Sequence, residues 1–215
     1  MLGKIAVIAG CFLVGGIPFG LLIARAHGIP DIRKYGSGNI GASNVLRTVG
    51  VKAGLLVWGI DVVKGLLPTL AAGQVVGPHN WWHSGAAFAT IAGHCFSPYL
   101  GLKGGRGVAS SLGVLLALDW RVGLLSLGVW IVLTFIWRYI SLSSVVATLS
   151  AALWYRLFHG TSNIELFTCV VVVALLVTAR HAPNIRRLMN GTETKIGQKA
   201  KELEQHPGNE QRAED

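Results

Sequence analysis

The sequence predicts an all-α polytopic membrane protein with seven transmembrane helices, two of them short. Of its 215 residues, 52% are hydrophobic and only 13% are charged, and the mean hydropathy is +0.53. A soluble domain would carry about twice that share of charged residues. Long apolar segments alternate with short polar ones, and most lysines and arginines fall in every second polar segment. This pattern is typical of a chain that crosses a membrane repeatedly.

Seven apolar segments account for the predicted helices. A helix needs about 20 mostly apolar residues to cross a bilayer. Two segments, 85–100 and 107–118, are interpreted as the short ones and are expected to be tilted or broken helices, or helices shielded by their neighbours. Together the seven form one membrane domain over residues 1–190, and residues 191–215 are predicted to be a polar cytoplasmic tail. The other five predicted crossings are residues 5–24, 53–76, 124–137, 145–158 and 164–178.

The distribution of basic residues predicts the orientation. Lysine and arginine concentrate in the cytoplasmic loops of membrane proteins. Here they follow the first, third, fifth and seventh predicted helices, whereas the other side holds only Lys4, Arg121 and Arg156. The N-terminus is therefore expected outside and the C-terminus in the cytoplasm. The same asymmetry, with attraction to anionic lipid, accounts for the net charge of +9, so no nucleic-acid partner is expected.

A glycine-rich polar loop is predicted at residues 36–47, whose sequence is GSGNIGASNVLR. Its glycines let backbone N–H groups approach a ligand closely, and its side chains offer donors that suit phosphate oxygens. One Ser or Asn is enough to cap a helix, whereas this segment has four and an arginine, which favours a binding site over a simple turn. The candidate residues are Ser37, Gly38, Asn39, Ser43, Asn44 and Arg47.

A second donor-rich loop precedes the predicted helix at 107–118. The amides and dipole of a helix N-terminus favour an anion, but the spacing is not that of a nucleotide-binding Walker A loop. The alternative is a turn made basic by topology alone. His94 lies upstream and is interpreted as a support for this loop rather than as a proton-transfer group. The loop consists of Lys103, Gly104, Gly105, Arg106 and Gly107.

A third polar segment follows the last predicted helix, which should end near Pro183. That position would hold His181 and Asn184 at the cytoplasmic edge, beside the other two loops. Arg186 and Arg187 are interpreted as anchors to anionic lipid. Any chemistry is expected to assemble from these three polar segments.

Three acidic and basic residues are expected to be structural. Asp61 and Lys64 lie three residues apart on the second apolar segment and so share one helix face. Because charges inside a membrane are usually paired or functional, an intrahelical ion pair is predicted. Glu193 lies among basic residues and is expected to be their structural partner.

The three polar segments together resemble the motifs of the bacterial acyl-phosphate-dependent glycerol-3-phosphate acyltransferases, the PlsY family. Residues 36–47 are similar to the first motif, 93–111 to the second and 181–195 to the third. The resemblance covers essentially the whole chain and includes the spacing of the seven helices. It implies transfer of a fatty acyl group from acyl phosphate to the 1-hydroxyl of glycerol 3-phosphate, giving lysophosphatidic acid and inorganic phosphate. This is the first acylation step of bacterial phospholipid synthesis.

The resemblance also implies roles for single residues. Ser37 and Arg47 match residues required for activity, the glycine-rich loop matches a glycerol phosphate site, and His181 and Asn184 match further contributors. Glu193 matches an acid thought to be structural. One serine of Ser141, Ser143 and Ser144 is implied to reach the site, and the sequence leaves open which one. Ser43 and Arg106 stand where the family frequently has threonine and lysine.

The implied setting is the bacterial cytoplasmic (inner) membrane, with the active site facing the cytoplasm. The implied partners are the fatty acyl phosphate, glycerol 3-phosphate and membrane lipid, and the protein is expected to act as a monomer without a cofactor or metal. For the general base two hypotheses stay open: His181, or the phosphate of the donor itself, which is favoured. Ser37 as a covalent acyl carrier is less favoured, because no base is adjacent in sequence.

Two other functions compete with this interpretation. An organophosphate transporter would also have basic loops, but internal repeat halves are not apparent and the polar loops lie on one side. A CDP-alcohol phosphotransferase would need an aspartate-rich metal motif, and the predicted cytoplasmic loops offer only Asp31.

Overall fold

The computed structural model describes residues 1–198, and the part of the predicted tail at 199–215 lies outside the described residues. The described residues form helices and no strands, which confirms the all-α part of the predicted fold class. Two short 3-10 turns, Ile32–Lys34 and Pro98–Leu100, lie in the connections. The α-helices are α1 (Leu2–Gly16), α2 (Phe19–Ala26), α3 (Ala42–Thr48), α4 (Val51–Val76), α5 (Trp81–Cys95), α6 (Val108–Leu118), α7 (Trp120–Trp137), α8 (Ile140–His159), α9 (Ile164–Arg180) and α10 (Ala182–Met189).

Each predicted apolar segment is helical, but not every helix is long enough to cross a membrane by itself. Four stretches are: α1 with α2, α4, α7 and α8. The pair α9 and α10, bent by 58°, makes a fifth candidate. With 15 and 11 residues, α5 and α6 are shorter. They are instead enclosed by the longer helices: α5 packs against α1, α4 and α9, and α6 against α4 and α7.

Helix α5 begins four residues before the predicted segment 85–100 and ends five residues before it does. Its start is fixed by Asn80, whose Oδ1 accepts hydrogen bonds from the N–H groups of Trp82 and His83 at 2.8 and 3.1 Å. A side-chain cap of this kind satisfies amides that the helix leaves free. Asn80 is a recognisable capping residue in the sequence, but it lies before the apolar run from which the helix was predicted.

The first membrane segment is broken at Pro18, where one continuous helix was predicted. Proline has no N–H to donate and its ring clashes with the preceding turn, so α1 and α2 end and begin on either side of it. Side chains from two other elements use the carbonyl groups that the break leaves free. Ser97 Oγ donates to the Gly16 carbonyl at 2.6 Å, and Lys64 Nζ donates to the Ile17 carbonyl at 2.9 Å. The break is therefore held by α4 and by the turn after α5.

Small residues let α1 and α5 pack at close range. A Cβ atom built on Gly93 would overlap the backbone carbonyl of Phe12 on α1. Glycine at this position brings the two backbones together, a common device in membrane helices. The close contact fixes the end of α5, from which the second polar loop begins.

Candidate functional site

A cavity of about 360 Å³ lies between α3, α4, α6, α7, α8 and the segments that follow α5 and α9. One end of it is polar and the rest is largely apolar. The polar end is lined by Asn39, Ser43, Arg47, Arg106, Ser141, His181, Asn184 and Glu193. The apolar part is lined chiefly by Leu55, Trp58, Leu112, Leu115, Leu127, Trp130, Ile131 and Ala147.

Asn44 organises the first polar segment. Its side chain is fully buried. Its Oδ1 accepts a hydrogen bond from the Ser37 N–H at 2.8 Å, and its Nδ2 donates to the carbonyls of Ile32, Tyr35 and Asn39 at 3.1, 3.0 and 2.8 Å. Because the carboxamide is saturated within the protein, Asn44 shapes the loop. Asn44 does not line the cavity, so its predicted contact with a ligand has no support in the structure.

The first polar segment is also not a loop throughout. Its second half forms the short helix α3, because Val45 is fully buried in an apolar cluster that anchors one face. Arg47 lies on the same helix, lines the cavity, and donates from Nη2 to the Thr194 carbonyl at 3.3 Å. The helix therefore carries the arginine from the loop to the cavity wall.

Two guanidinium groups bring positive charge to the polar end of the cavity. Burial lowers the pKa of Arg106 to about 10, with Glu193 opposing this and Arg187 and Arg47 adding to it. Burial likewise lowers the pKa of Arg47. Both groups remain charged at neutral pH. The charge of Arg47 helps to lower the pKa of Arg106, so the two cations lie close enough to repel each other. Two partly desolvated cations in this arrangement favour an anion between them.

The second polar loop is held by α9 and by the end of α5. The Gly104 and Gly105 N–H groups donate to the carbonyls of Cys95 and His94 at 3.1 and 2.9 Å. Arg180 donates from Nη2 and Nε to the Gly104 and Gly105 carbonyls at 3.0 and 3.1 Å. A Cβ atom on Gly105 would collide with the imidazole of His94. The loop is thus fixed on both sides, and Arg180 is a positioning residue that the sequence did not reveal.

The second polar loop places the N-terminus of α6 at the cavity. Gly107, in a left-handed conformation with φ of 85°, precedes α6 and makes no side-chain cap. Gly107, Val108 and Ala109 all line the cavity. Free amides at a helix N-terminus complement an anion, so they add to the two arginines.

Glu193 is the hydrogen-bonding centre of the third polar segment. Its Oε1 accepts from Ser141 Oγ at 2.6 Å and from Asn184 Nδ2 at 2.7 Å, and its Oε2 accepts from Arg187 Nε at 2.7 Å. Burial alone would raise the pKa of Glu193, but these hydrogen bonds outweigh it and the net pKa is lowered. The carboxylate is therefore ionised, and each of its oxygens accepts at least one hydrogen bond. Arg187 is its ion-pair partner rather than a free lipid anchor.

The same contacts distinguish the three candidate serines. Ser141 lines the cavity and contacts Glu193. Ser144 also lines the cavity, but its Oγ donates to the Ile140 carbonyl at 2.7 Å. Ser143 Oγ donates to the Tyr139 carbonyl at 3.0 Å and does not line the cavity. Ser141 is the serine whose hydroxyl belongs to the polar end.

His181 and Asn184 present hydrogen-bond acceptors to the cavity. His181 Nδ1 lies 2.7 Å from the Val177 carbonyl, and since a carbonyl only accepts, Nδ1 carries the proton. Burial lowers the pKa of His181 to about 4, so the ring is neutral at pH 7 and Nε2 is an acceptor. Asn184 Oδ1 is buried without a hydrogen-bond partner among the described residues. Acceptors of this kind on two residues that line the cavity suit a ligand hydroxyl.

The predicted ion pair on α4 is present. Lys64 Nζ lies 2.8 Å from Asp61 Oδ1, and both side chains are buried. His94 Nδ1 approaches the same oxygen at 3.9 Å, too far for a hydrogen bond. Asp61 and His94 line the cavity, whereas Lys64 faces the helix break at Ile17.

The apolar part of the cavity is a groove between α4, α6, α7 and α8. Trp130 Nε1 donates to Ser144 Oγ at 3.1 Å, which holds the indole against α8. Leu55 on α4 and Ile131 on α7 both line the groove and are 58% and 53% exposed. The groove therefore opens sideways between α4 and α7, on the apolar surface of the molecule.

The structure brings most of the sequence-predicted residues to one cavity but not all of them. Asn39, Ser43, Arg47, His94, Arg106, Gly107, His181 and Asn184 line it. The predicted catalytic and substrate-binding residues that do not line it are Ser37, Gly38, Asn44, Lys103, Gly104 and Gly105, and Lys103 is exposed. Ser37 lies two residues from Asn39 in the turn that Asn44 holds. From the sequence, Lys103 and Arg106 were both predicted to bind substrate, because a sequence shows that a residue is charged but not where its side chain lies in the fold.

Known proteins resemble this chain along nearly its whole length. The family described as "Glycerol-3-phosphate acyltransferase" matches residues 5–191. A glycerol-3-phosphate acyltransferase of Trichlorobacter lovleyi is 46% identical over 191 residues, which cover 88% of this chain and 95% of the relative. One from Aquifex aeolicus is 41% identical over 183 residues, covering 85% and 93%.

Two solved structures share the fold. Both are of PlsY (YgiH), an integral membrane glycerol 3-phosphate acyltransferase. Its glycerol 3-phosphate form aligns with a TM-score of 0.85 at 38% identity, covering 91% of this chain and 96% of that one. Its lysophosphatidic acid form aligns with a TM-score of 0.83 at 36% identity over the same shares.

Proposed function

Because this chain belongs to the PlsY family of glycerol-3-phosphate acyltransferases, we propose that it transfers a fatty acyl group from acyl phosphate to the 1-hydroxyl of glycerol 3-phosphate. The products are lysophosphatidic acid and inorganic phosphate. The observation that carries this proposal is a single cavity with a cationic polar end that continues into an apolar groove. The cationic end suits phosphorylated groups, and the apolar groove suits a fatty chain.

The polar end offsets the repulsion between two anionic substrates. Arg47, Arg106 and the first amides of α6 supply the positive potential. Holding both substrates in one place converts a bimolecular reaction into one within a complex, which lowers the barrier by several kcal/mol. Glu193 does not compete for the substrates' hydroxyls as a base, because its oxygens are occupied by Ser141, Asn184 and Arg187.

The attacking hydroxyl is oriented by His181 and Asn184. His181 Nε2 and Asn184 Oδ1 accept hydrogen bonds from hydroxyl groups of glycerol phosphate. Ser43 lines the cavity and donates from its hydroxyl to the substrate, and Ser37 acts through the loop that Asn44 holds. The 1-hydroxyl oxygen attacks the acyl carbonyl carbon and forms the ester bond. The bond from that carbon to the phosphate oxygen breaks, and phosphate leaves.

The proton of the hydroxyl passes to an oxygen of the departing phosphate. His181 is a poor acceptor for it, since a pKa of about 4 disfavours the imidazolium about a thousandfold at pH 7. This favours the donor phosphate over His181 as the base. An acyl phosphate is already activated, so the reaction needs no cofactor or metal.

The membrane setting follows from the same groove. The side opening between α4 and α7 admits the fatty chain from the bilayer, while the polar substrate reaches the other end from water. With α5 and α6 counted as shielded crossings, the chain has seven transmembrane helices, the N-terminus outside and the C-terminus in the cytoplasm. The active site then faces the cytoplasm of a bacterial inner membrane. We propose that the protein acts as a monomer.

The test is phosphate release by the purified full chain in detergent with EDTA, given palmitoyl phosphate and glycerol 3-phosphate. We expect release that needs both substrates and is accompanied by lysophosphatidic acid in equal amount. Release without glycerol 3-phosphate would indicate a hydrolase. No release, with uptake of glycerol phosphate into proteoliposomes, would reject the proposal in favour of a transporter. Loss of activity in EDTA that Mg²⁺ restores would reject the metal-free mechanism.

A further inference from the structure

The apolar groove has a closed far end. Three helices each contribute one residue there: Leu115 of α6, Ser126 of α7 and Thr148 of α8. All three are buried, with 4%, 5% and 6% exposure. Leu115 is itself part of the packed core, and one turn further along each of the three helices the residue belongs to that core and no longer lines the cavity. Those residues are Leu118, Val122 and Ala151.

The far end lies in the interior of the molecule. On α7, the residues that line the groove run from Ile131, which is exposed, to Ser126, which is buried. On α8 they run from Ser141 at the polar end to Thr148, which is also buried. The groove therefore ends away from both the polar end and the side opening.

Hydroxyl groups mark the closed end. Ser126 Oγ is buried and has no hydrogen-bond partner among residues 1–198. Thr148 Oγ1 donates to the Ser144 carbonyl at 2.7 Å. A chain end that reaches these side chains gains no further apolar contact, and a longer chain meets the packed core. Serine is also the smallest of the three side chains there, so its volume decides how much room remains.

We infer that Ser126, together with Thr148 and Leu115, sets the length of the acyl chain that this enzyme prefers. The inference rests on the proposed function, because it takes an acyl phosphate as the donor. It places the terminal methyl group of the acyl chain at the closed end of the groove, between α6, α7 and α8. The side opening at Leu55 and Ile131 lies nearer the polar end and serves for access.

The test compares decanoyl, palmitoyl and stearoyl phosphate as donors for the full chain, with Ser126→Leu as the main variant. Leucine fills the closed end of the groove, so the ratio of kcat/KM for palmitoyl over decanoyl phosphate should fall about tenfold, as expected when two methylene groups lose an apolar environment. The KM for glycerol 3-phosphate should not change. Gly128→Leu is the matched control, because a side chain there meets open space on the same helix and outside the groove. Its ratio should equal that of the wild type.

Two further variants keep the inference testable if Ser126→Leu does not fold. Ser126→Val makes a smaller change in the same direction, and Leu115→Ala should raise the relative rate with stearoyl phosphate. An unchanged ratio in the active Ser126 variants would overturn the inference while leaving the proposed function intact. If the wild type uses no acyl phosphate of any length, the proposed function fails first and the inference fails with it.

Discussion

Lys64 Nζ lies 2.8 Å from Asp61 Oδ1, one turn away on α4, and the same ammonium donates to the Ile17 carbonyl at 2.9 Å. One buried cation thus neutralises a carboxylate and holds the break between α1 and α2. Removing one partner of a buried pair leaves the other charge uncompensated. This costs more than the pair itself contributes.

We therefore expect Lys64→Met to destabilise the protein by about 3–5 kcal/mol. The double variant Asp61→Asn/Lys64→Met should lose less than Lys64→Met alone, because no unpaired charge remains. Thermal unfolding in detergent, followed by tryptophan fluorescence, measures both. Lys52→Met, at an exposed position of the same helix, is the control. Losses that simply add in the double variant would show that the two side chains do not act as a pair.

The two cations of the glycine loop should differ sharply. Arg106 lines the cavity, whereas Lys103 is exposed and lies outside it. Arg106→Ala should lower kcat/KM by about 10- to 100-fold, the worth of a charged hydrogen bond to substrate. Lys103→Ala should change it by less than about threefold, as expected for an exposed charge. Steady-state kinetics with both substrates varied decides between these outcomes, and equal losses would contradict the assignment of Arg106 to the site.

Glu193 should act through the side chains that it orders. Glu193→Gln keeps the shape of the side chain but replaces one carboxylate oxygen by an NH₂ group, which cannot accept a hydrogen bond from the three donors around it. We therefore expect the free energy of unfolding to fall by about 1–3 kcal/mol. Activity should fall as well, because Asn184 and Ser141 lose their fixed orientation. Glu165→Gln, in the first turn of α9, is the control. Full activity in Glu193→Gln would indicate that the carboxylate does not position the site.

The sequence predicted what depends on local pattern. Long apolar runs identified the helical segments, and Ser, Asn, Gly and Arg clustered at three places that the fold does bring together. The contacts between these three segments depend on tertiary packing, and no local sequence pattern indicates them. Ser141 and Glu193 lie 52 residues apart and Arg180 lies 75 residues from Gly105, so nothing near either partner indicates the other.

Two of the differences did have a signal in the sequence. Pro18 stands inside the first apolar run and marks the break, but hydropathy summed over the run conceals it. Val45 and Leu46 are apolar residues within the first polar segment, and they indicate the short helix α3. The saturated contacts of Asn44 had no such signal, because an asparagine that binds a ligand and one that binds its own backbone look alike in sequence.

The stability of the protein should depend on pH through His181. Its pKa is about 4 in the folded state and 6.5 in its ordinary state, so the unfolded chain binds more protons between these values. Stability is then fully present above pH 6.5 and falls as the pH drops towards 4, by on the order of 3 kcal/mol. His181→Gln should lack this part of the decline. Unfolding temperatures of both proteins between neutral pH and pH 4 measure it, with the exposed His27→Gln as control, and parallel curves for wild type and His181→Gln would contradict the assignment.

The glycine loop offers a test of its own packing. A Cβ atom on Gly105 would collide with the imidazole of His94, while the Gly105 N–H to His94 carbonyl bond involves only backbone. Gly105→Ala should therefore lower activity at least about tenfold by displacing the loop and Arg106 with it, since a site displaced by an ångström loses reactive geometry. His94→Ala removes the obstacle and leaves the backbone bond in place. In the double variant Gly105→Ala should cost much less than it does alone, whereas Gly59→Ala, where a Cβ meets nothing within 4 Å, should be neutral. If the two losses add, the collision is not what makes glycine necessary there, and the close approach of a ligand to the loop backbone becomes the better explanation.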